Sequence, residues 1–123
     1  MKQSLVLYGI SNCDTVKKAR AWLAEQQVAV QFHDFKKQGV PEARLDHWLA
    51  TAGWERLLNR QGTTWRKLDD AAQAAVTDAS SARSLMLAQA SVIKRPVVEW
   101  NEQDVTVGFD PADWQKRICA RLK

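Results

Sequence analysis

The first 35 residues follow a strand–loop–helix–strand pattern, which restricts the possible folds more than any other feature of the sequence. Residues 5–8 are apolar and favour a strand, and the polar loop 9–13 separates them from a helical pattern over 14–26. A second strand is predicted over 28–35. A unit this short predicts two parallel strands joined by a right-handed crossover, with a ligand crevice where the first strand ends.

The middle and the end of the chain differ in character. Residues 41–90 are rich in Ala, Leu, Gln and Arg, which predicts a helical insertion at about 41–90. Residues 97–100 and 105–109 flank an Asn-Glu-Gln-Asp turn and predict an antiparallel hairpin.

A last helix is predicted to begin at Asp110 and Pro111, which supply an N-cap and a first-turn residue. Its apolar face is predicted to carry Trp114, Ile118 and Leu122. The order β-α-β, helical insertion, β-β-α predicts an α/β thioredoxin-like fold with a four-stranded mixed sheet. We expect it to form one domain over residues 1–123.

Length, composition and charge narrow the class of protein. A chain of 123 residues with ordinary apolar and charged fractions predicts a soluble globular protein with one core. No apolar run approaches the roughly 18 residues of a membrane span, and residues 5–8 are too short for a signal-peptide core, so we expect a cytoplasmic protein without a membrane partner. The net charge of +4 comes from basic residues mixed with acidic ones, which argues against nucleic acid and suits small anions.

Cys13 lies at the predicted junction of loop and helix, where free backbone N–H groups and the helix dipole stabilise a thiolate. Asn12 and Thr15 can add hydrogen bonds and Lys17 a positive charge, so the segment predicts a nucleophilic cysteine. Position 16 is Val16, so a Cys-x-x-Cys partner is absent from the sequence and an external thiol must release the product. Glutathione is the natural candidate in a reducing cytoplasm.

Three other residues with reactive side chains are predicted to stand outside this chemistry. Cys119 lies beside the apolar positions of the last helix, which predicts a packing role, and a reducing compartment argues against a structural disulfide. His33 and His47 share no metal-ligand spacing with Cys13, so we expect both to be bystanders and predict no metal site.

Arg95 and Pro96, which precede the hairpin, form a second motif. A proline that leads into a strand keeps the preceding residue extended and is a candidate for a cis bond. If the fold brings Pro96 beside the Cys13 loop, Arg95 offers a planar cation to a carboxylate or oxyanion next to the thiolate. The alternative is an edge-strand proline with a solvated arginine.

Three motifs, taken in order, resemble a known family. They are Cys-x-Thr-x-Lys at 13–17, Leu-Leu-Asn-Arg at 57–60 and Ile-Lys-Arg-Pro-Val at 93–97. Together they resemble the glutaredoxin-dependent arsenate reductases over essentially the whole chain, and most of all the YffB-type branch, which also groups with the Spx regulators.

The resemblance implies a catalytic Cys13, oxyanion-binding Arg60 and Arg95, and a cycle that uses glutathione and glutaredoxin. From the residues alone, Arg60 is a solvated arginine at a helix end. The place of Arg60 in the site therefore depends on the resemblance.

Two departures from the family pattern shape the predicted function. Arsenate reductases carry a third arginine after the hairpin, where this sequence reads Val-Gly-Phe-Asp at 107–110, and its loss should weaken oxyanion binding by about 1.5–3 kcal/mol. Spx-type redox switches use a Cys-x-x-Cys pair, which Val16 interrupts.

The leading hypothesis is therefore a glutathione-dependent thiol reductase, an enzyme that needs no metal or prosthetic group. The first alternative is a glutaredoxin-linked arsenate reductase. The second is a non-catalytic, Spx-like adaptor that binds an unidentified protein through the insertion or through some of the six tryptophans.

Overall fold

The structure, a computed structural model, describes residues 5–101 and 104–121 and divides the chain into two compact units. The first unit holds both ends of the chain, up to His33 and from Arg95 onward, and the second holds Asp34–Lys94. The insertion predicted at about 41–90 falls within the second unit. That both units form one domain stays a prediction. Leu122 and the hairpin residues 102–103 lie outside the described residues.

The first unit is built on a four-stranded mixed sheet with the strand order β2-β1-β3-β4. The strands are β1 (Leu5–Gly9), β2 (Val30–Asp34), β3 (Val97–Glu99) and β4 (Val105–Val107). Strand β3 pairs antiparallel with both β1 and β4, which confirms the predicted hairpin. Strands β2 and β4 are the outer strands of this sheet.

Two helices share a core with this sheet, α1 (Asp14–Glu25) and α8 (Pro111–Arg121). Helix α8 begins where predicted, because a carboxylate oxygen of Asp110 accepts a hydrogen bond from the backbone N–H of Asp113. The core combines alternate strand residues with residues three or four apart on each helix, as expected for one buried face of each element. Its members are Leu5, Leu7, Val16, Ala19, Leu23, Val98, Trp100, Trp114 and Ile118.

The opposite face of the sheet carries a buried polar pair. Tyr8 and Glu99 alternate with the core residues Leu7 and Val98, so their side chains point away from α1 and α8. The Tyr8 hydroxyl donates to Oε1 of Glu99, and the ring of His33 lies 5.0 Å from that of Tyr8. This face therefore buries a polar pair, in contrast to the aromatic and aliphatic core on the other face.

The outer strand β2 carries a cation on one of its aromatic rings. Phe32 packs against the core from this strand and is half-buried. The guanidinium of Arg20, from α1, lies 4.2 Å from the centroid of the Phe32 ring, within the range of a cation–π contact. Helix α1 thus covers β2 with a charge as well as with apolar side chains.

The second unit is helical, as the sequence predicts for this part of the chain. Its helices are α2 (Phe35–Gln38), α3 (Glu42–Ala52), α4 (Trp54–Leu57), α5 (Thr63–Lys67), α6 (Asp70–Ala74) and α7 (Ala79–Ala88), followed by a 3₁₀ turn over Ala90–Val92. Helix α7 begins with a capping box in which Asp78 and Ser81 exchange hydrogen bonds between side chain and backbone.

Helix α2 differs from the prediction, which placed Phe35 at the end of the second strand. The strand stops at Asp34, whose carboxylate accepts a hydrogen bond from the backbone N–H of Lys36 at 2.9 Å. Asp34 therefore caps a helical turn, which begins with the buried Phe35.

In the part of the chain that the structure describes, no helix combines the length and the apolar character needed to cross a membrane.

Candidate active site

Cys13 is the N-cap residue of α1, with extended backbone at φ −90° and ψ 124°. Its N–H donates to the carbonyl of Ile10 at 3.1 Å, and its carbonyl accepts from the N–H of Lys17 at 3.0 Å. These bonds hold the backbone of Cys13 from both sides. The half-buried side chain packs against the core of the first unit and makes no capping hydrogen bond within the described region, so helix capping does not occupy the sulfur.

The polar residues predicted to assist Cys13 surround it in sequence at the start of α1. Asn12, Thr15 and Lys17 are exposed, and Asp14 adds an acidic side chain to the first turn. The site is thus open to solvent on its polar side. The contributions of Asn12, Thr15 and Lys17 to ligand binding stay predictions.

Helix α1 packs closely against the end of β1 through a contact between Gly9 and Val16. A β-carbon added to Gly9 would lie 2.7 Å from Cγ2 of Val16, whose side chain is 0% exposed. Position 16, where a Cys-x-x-Cys motif would carry its second sulfur, is therefore filled by a core valine that helps to place Cys13.

The bond between Arg95 and Pro96 is cis, as the motif suggested. Pro96 is buried, and its carbonyl accepts a hydrogen bond from the N–H of Gly108 at 2.9 Å. The antiparallel register pairs Tyr8 with Val97, so the next residue along β1 lies opposite Pro96. Pro96 thus lies at the end of β1, where the loop to Cys13 begins. Arg95 is half-buried, and its anion-binding role stays a prediction.

Arg60 lies in the second unit and is exposed, and its side chain contacts an aromatic ring. Its guanidinium carbon lies 5.5 Å from the centroid of the Trp54 ring, a cation–π contact. No local pattern pairs Trp54 with Arg60, because a spacing of six residues across a helix end is not a helical pairing. The part of Arg60 in anion binding stays a prediction.

The structure corrects the packing role predicted for Cys119. This residue is exposed, and its sulfur accepts a hydrogen bond of 3.5 Å from Nε2 of Gln115. Its neighbour Ile118 takes the core position, and one residue turns a helix by about 100°, which moves Cys119 off the buried face.

His33 contacts the ring of Tyr8, and His47 lies half-buried on α3.

Within residues 5–101 and 104–121, no group of three or more His, Cys, Asp or Glu side chains is placed to hold a metal ion.

Known proteins share both the sequence and the fold of this chain. A family model described as "ArsC family" matches residues 8–117. An uncharacterized protein of Haemophilus influenzae is 34% identical over 111 residues, which cover 90% of this chain and 96% of the relative.

Two solved structures are also similar. The first, a "YFFB (PA3664) protein", is 50% identical with a TM-score of 0.87, and the match covers 93% of this chain and 98% of that chain. The second, an arsenate reductase (ArsC) related protein from Brucella melitensis, is 49% identical with a TM-score of 0.75, and the match covers 94% and 95%. These likenesses confirm the predicted thioredoxin-like fold.

Proposed function

This chain belongs to the ArsC family, and on that basis we propose that it is a thiol-dependent reductase with Cys13 as its single nucleophile and glutathione as its reducing co-substrate. The membership confirms the resemblance drawn from the motifs at 13–17, 57–60 and 93–97, and the 50% identity to the YFFB (PA3664) protein supports the YffB-type branch.

The observation that carries the proposal is the position of Cys13 at the N-cap of α1, a helix of 12 residues. The first backbone N–H groups of a helix have no partner within the helix, and with the helix dipole they favour negative charge at this end. The side chain of an N-cap residue lies next to these groups, and cysteine attacks disulfides through its sulfur. Lys17, one turn along, adds positive charge.

The proposed reaction begins when the Cys13 thiolate attacks the glutathione sulfur of a mixed disulfide. A new S–S bond joins Cys13 to glutathione, and the old S–S bond breaks to release the other sulfur as a thiolate. The substrate sulfur is thereby reduced, and Cys13 is oxidised to its mixed disulfide with glutathione.

A second thiol must then regenerate Cys13. Val16 occupies the position of a local resolving cysteine, so the thiolate of a second glutathione attacks the mixed disulfide. The products are free Cys13 and oxidised glutathione. Glutaredoxin, which the family implies as a partner, can accept glutathione from Cys13 in the same way.

The anionic groups of glutathione need cationic partners. Its carboxylates suit the planar guanidinium groups of Arg95 and Arg60, and a charge-assisted pair of this kind is directional. We propose Asn12, Thr15 and Pro96 as neighbours that orient the bound peptide, with Lys17 as a further cation.

Turnover of the mixed disulfide between glutathione and 2-mercaptoethanol tests the proposal, with oxidised glutathione measured through glutathione reductase and NADPH. We expect turnover by the wild type and by the matched control Cys119→Ser, and only the background rate with Cys13→Ser. Activity retained by Cys13→Ser would exclude Cys13 as the nucleophile. An inactive wild type whose Cys13 is still alkylated by iodoacetamide would exclude the reductase function.

Arsenate reduction is the second candidate, favoured by the 49% identity to the arsenate reductase related protein from Brucella melitensis. The missing third cation argues against it, and Gly108 has φ +89°, a conformation that disfavours an arginine there. The same assay with arsenate, glutathione and glutaredoxin decides the question. Turnover that Cys13→Ser abolishes would establish arsenate as a substrate.

A further inference from the structure

We propose that Trp54 is a positioning residue whose ring holds the guanidinium of Arg60 so that its in-plane N–H groups bind a carboxylate of the thiol co-substrate. This inference rests on the proposed function, in which Arg60 binds glutathione. It adds a residue to which the motifs gave no role, and it assigns a chemical class to the group that Arg60 recognises.

The guanidinium of Arg60 contacts the face of the Trp54 ring. The guanidinium carbon lies 5.5 Å from the ring centroid, within the roughly 6 Å range of cation–π contacts. A guanidinium over a ring engages through its π face, whereas its N–H groups point outward in its own plane. Trp54 is half-buried and Arg60 exposed, so the ring forms a base and the cation faces solvent.

The backbone that precedes Arg60 is anchored within the second unit. The N–H of Asn59 donates to the carbonyl of Val92 at 2.7 Å, and the N–H of Lys94 donates to the carbonyl of Leu57 at 2.7 Å. Between these bonds, Leu58 forms an antiparallel bridge with Ile93, and both side chains are buried. The segment that leads to Arg60 is therefore held to residues 92–94 by two hydrogen bonds.

A tight turn follows the anchored segment and further limits the directions open to Arg60. Oδ1 of Asn59 accepts a hydrogen bond from the N–H of Gln61 at 3.1 Å. A β-carbon at Gly62 would lie 2.7 Å from Nδ2 of Asn59, so the turn brings Gly62 close against that side chain. Because the backbone and the side chain of Arg60 are both held, Arg60 loses less conformational freedom when a ligand binds.

The planar fork of donors indicates the class of ligand. A carboxylate presents two oxygens in one plane, which matches the paired N–H groups of a guanidinium, and a flat ring under the cation keeps that plane in place. Each glutathione molecule carries two carboxylates. We therefore assign a carboxylate of glutathione to Arg60.

The test compares Trp54→Leu, Trp54→Phe and Arg60→Ala in the mixed-disulfide assay, with Trp65→Leu as the control for loss of another half-buried tryptophan of the same unit. We expect Trp54→Leu to raise KM for glutathione about five- to tenfold, the scale of one cation–π contact. The rate of Cys13 alkylation should stay unchanged, and Trp54→Phe and Trp65→Leu should stay near the wild type.

A double variant separates positioning from general stability. If Trp54 acts through Arg60, Trp54→Leu combined with Arg60→Ala raises KM no further than Arg60→Ala alone. Additive effects, or an unchanged KM in Trp54→Leu, would overturn the inference. An unchanged KM in Arg60→Ala would also overturn it, while leaving the role of Cys13 intact.

A spectroscopic measurement tests the geometry without turnover. The Hε–Nε signal of Arg60 should show a ring-current shift that Trp54→Phe keeps and Trp54→Leu removes, and a signal unaffected by Trp54→Leu would contradict the contact. If the wild type has no reductase activity, calorimetric titration with glutathione replaces KM. Weaker binding by both Trp54→Leu and Arg60→Ala would then support the inference, and equal binding by all variants would overturn it.

Discussion

The hydroxyl of Tyr8 donates a hydrogen bond of 2.6 Å to Oε1 of Glu99, and the two residues are 91 positions apart in the chain. Tyr8 is 5% exposed and Glu99 8%, so water does not readily replace either partner. The bond joins β1, which leads into the Cys13 loop, to β3, which follows Pro96.

Tyr8→Phe should reduce the free energy of unfolding by about 1–3 kcal/mol, because the buried carboxylate of Glu99 loses this donor. Urea unfolding followed by tryptophan fluorescence measures the change. Glu99→Gln serves as the control, since an amide oxygen still accepts from Tyr8, and its loss should be smaller. A loss below about 0.5 kcal/mol in Tyr8→Phe would contradict the importance of the bond.

Gly9→Ala should destabilise the protein by about 1–3 kcal/mol, because the added methyl group would overlap Cγ2 of Val16, a side chain with little rotational freedom in a helix. Thermal or urea unfolding measures the loss. In the double variant with Val16→Ala, the overlap disappears, so the combined loss should be smaller than the sum of the single losses. Strictly additive losses would show that the two positions do not clash.

The capping box of α7 should make stability depend on acid pH. Hydrogen bonds from the backbone N–H and then the hydroxyl of Ser81 hold the pKa of Asp78 below its ordinary value of 3.8. A carboxyl group with a lowered folded-state pKa contributes stability above pH 3.8, and the contribution is lost as the pH falls through the lowered pKa.

Asp78→Ala should therefore lower the urea midpoint of unfolding at pH 7. The difference in midpoint between this variant and the wild type should become smaller below pH 3.8. Urea titrations from pH 7 to about pH 2 give both curves. Ser81→Ala, which removes one of the two donor groups, should show a smaller part of the same effect. A difference that stays constant over the whole range would contradict the assignment.

Val16→Cys should convert the site from one thiol to two. A cysteine three residues after Cys13 at a helix start forms a Cys-x-x-Cys pair, so it can displace glutathione from Cys13 and close a disulfide. In a Cys119→Ser background, mass spectrometry should show glutathione released without added thiol. Val16→Ser, which introduces a side chain of similar volume to cysteine but without the thiol, should keep glutathione bound to Cys13. Retention by Val16→Cys would mean that the buried position cannot reach Cys13.

The sequence predicted elements best where short-range patterns decide the structure. Val16, Ala19 and Leu23 recur at helical spacing and are the buried residues of α1, while Asp110 caps α8 through a bond to a residue three positions away. Local chemistry also identified Cys13 as the residue at the start of α1.

The errors and omissions concern contacts that local patterns do not encode. Phe35 continues the apolar alternation of the strand, but the cap made by Asp34 ends that strand one residue earlier. Cys119 was predicted from its apolar neighbours to pack, whereas the helical turn exposes it. The cation–π contact of Arg60 with Trp54 depends on how α4 and the following turn are placed, so no pattern in the sequence predicts it.

The cation that Arg20 places over Phe32 affects how the protein meets other copies of itself. Strand β2 is an outer strand of the sheet, and such strands can template pairing with another chain through their free backbone groups. A guanidinium 4.2 Å from the ring centroid places a charge beside this strand. An approaching strand would have to desolvate that charge, so Arg20 disfavours edge-to-edge aggregation of the sheet.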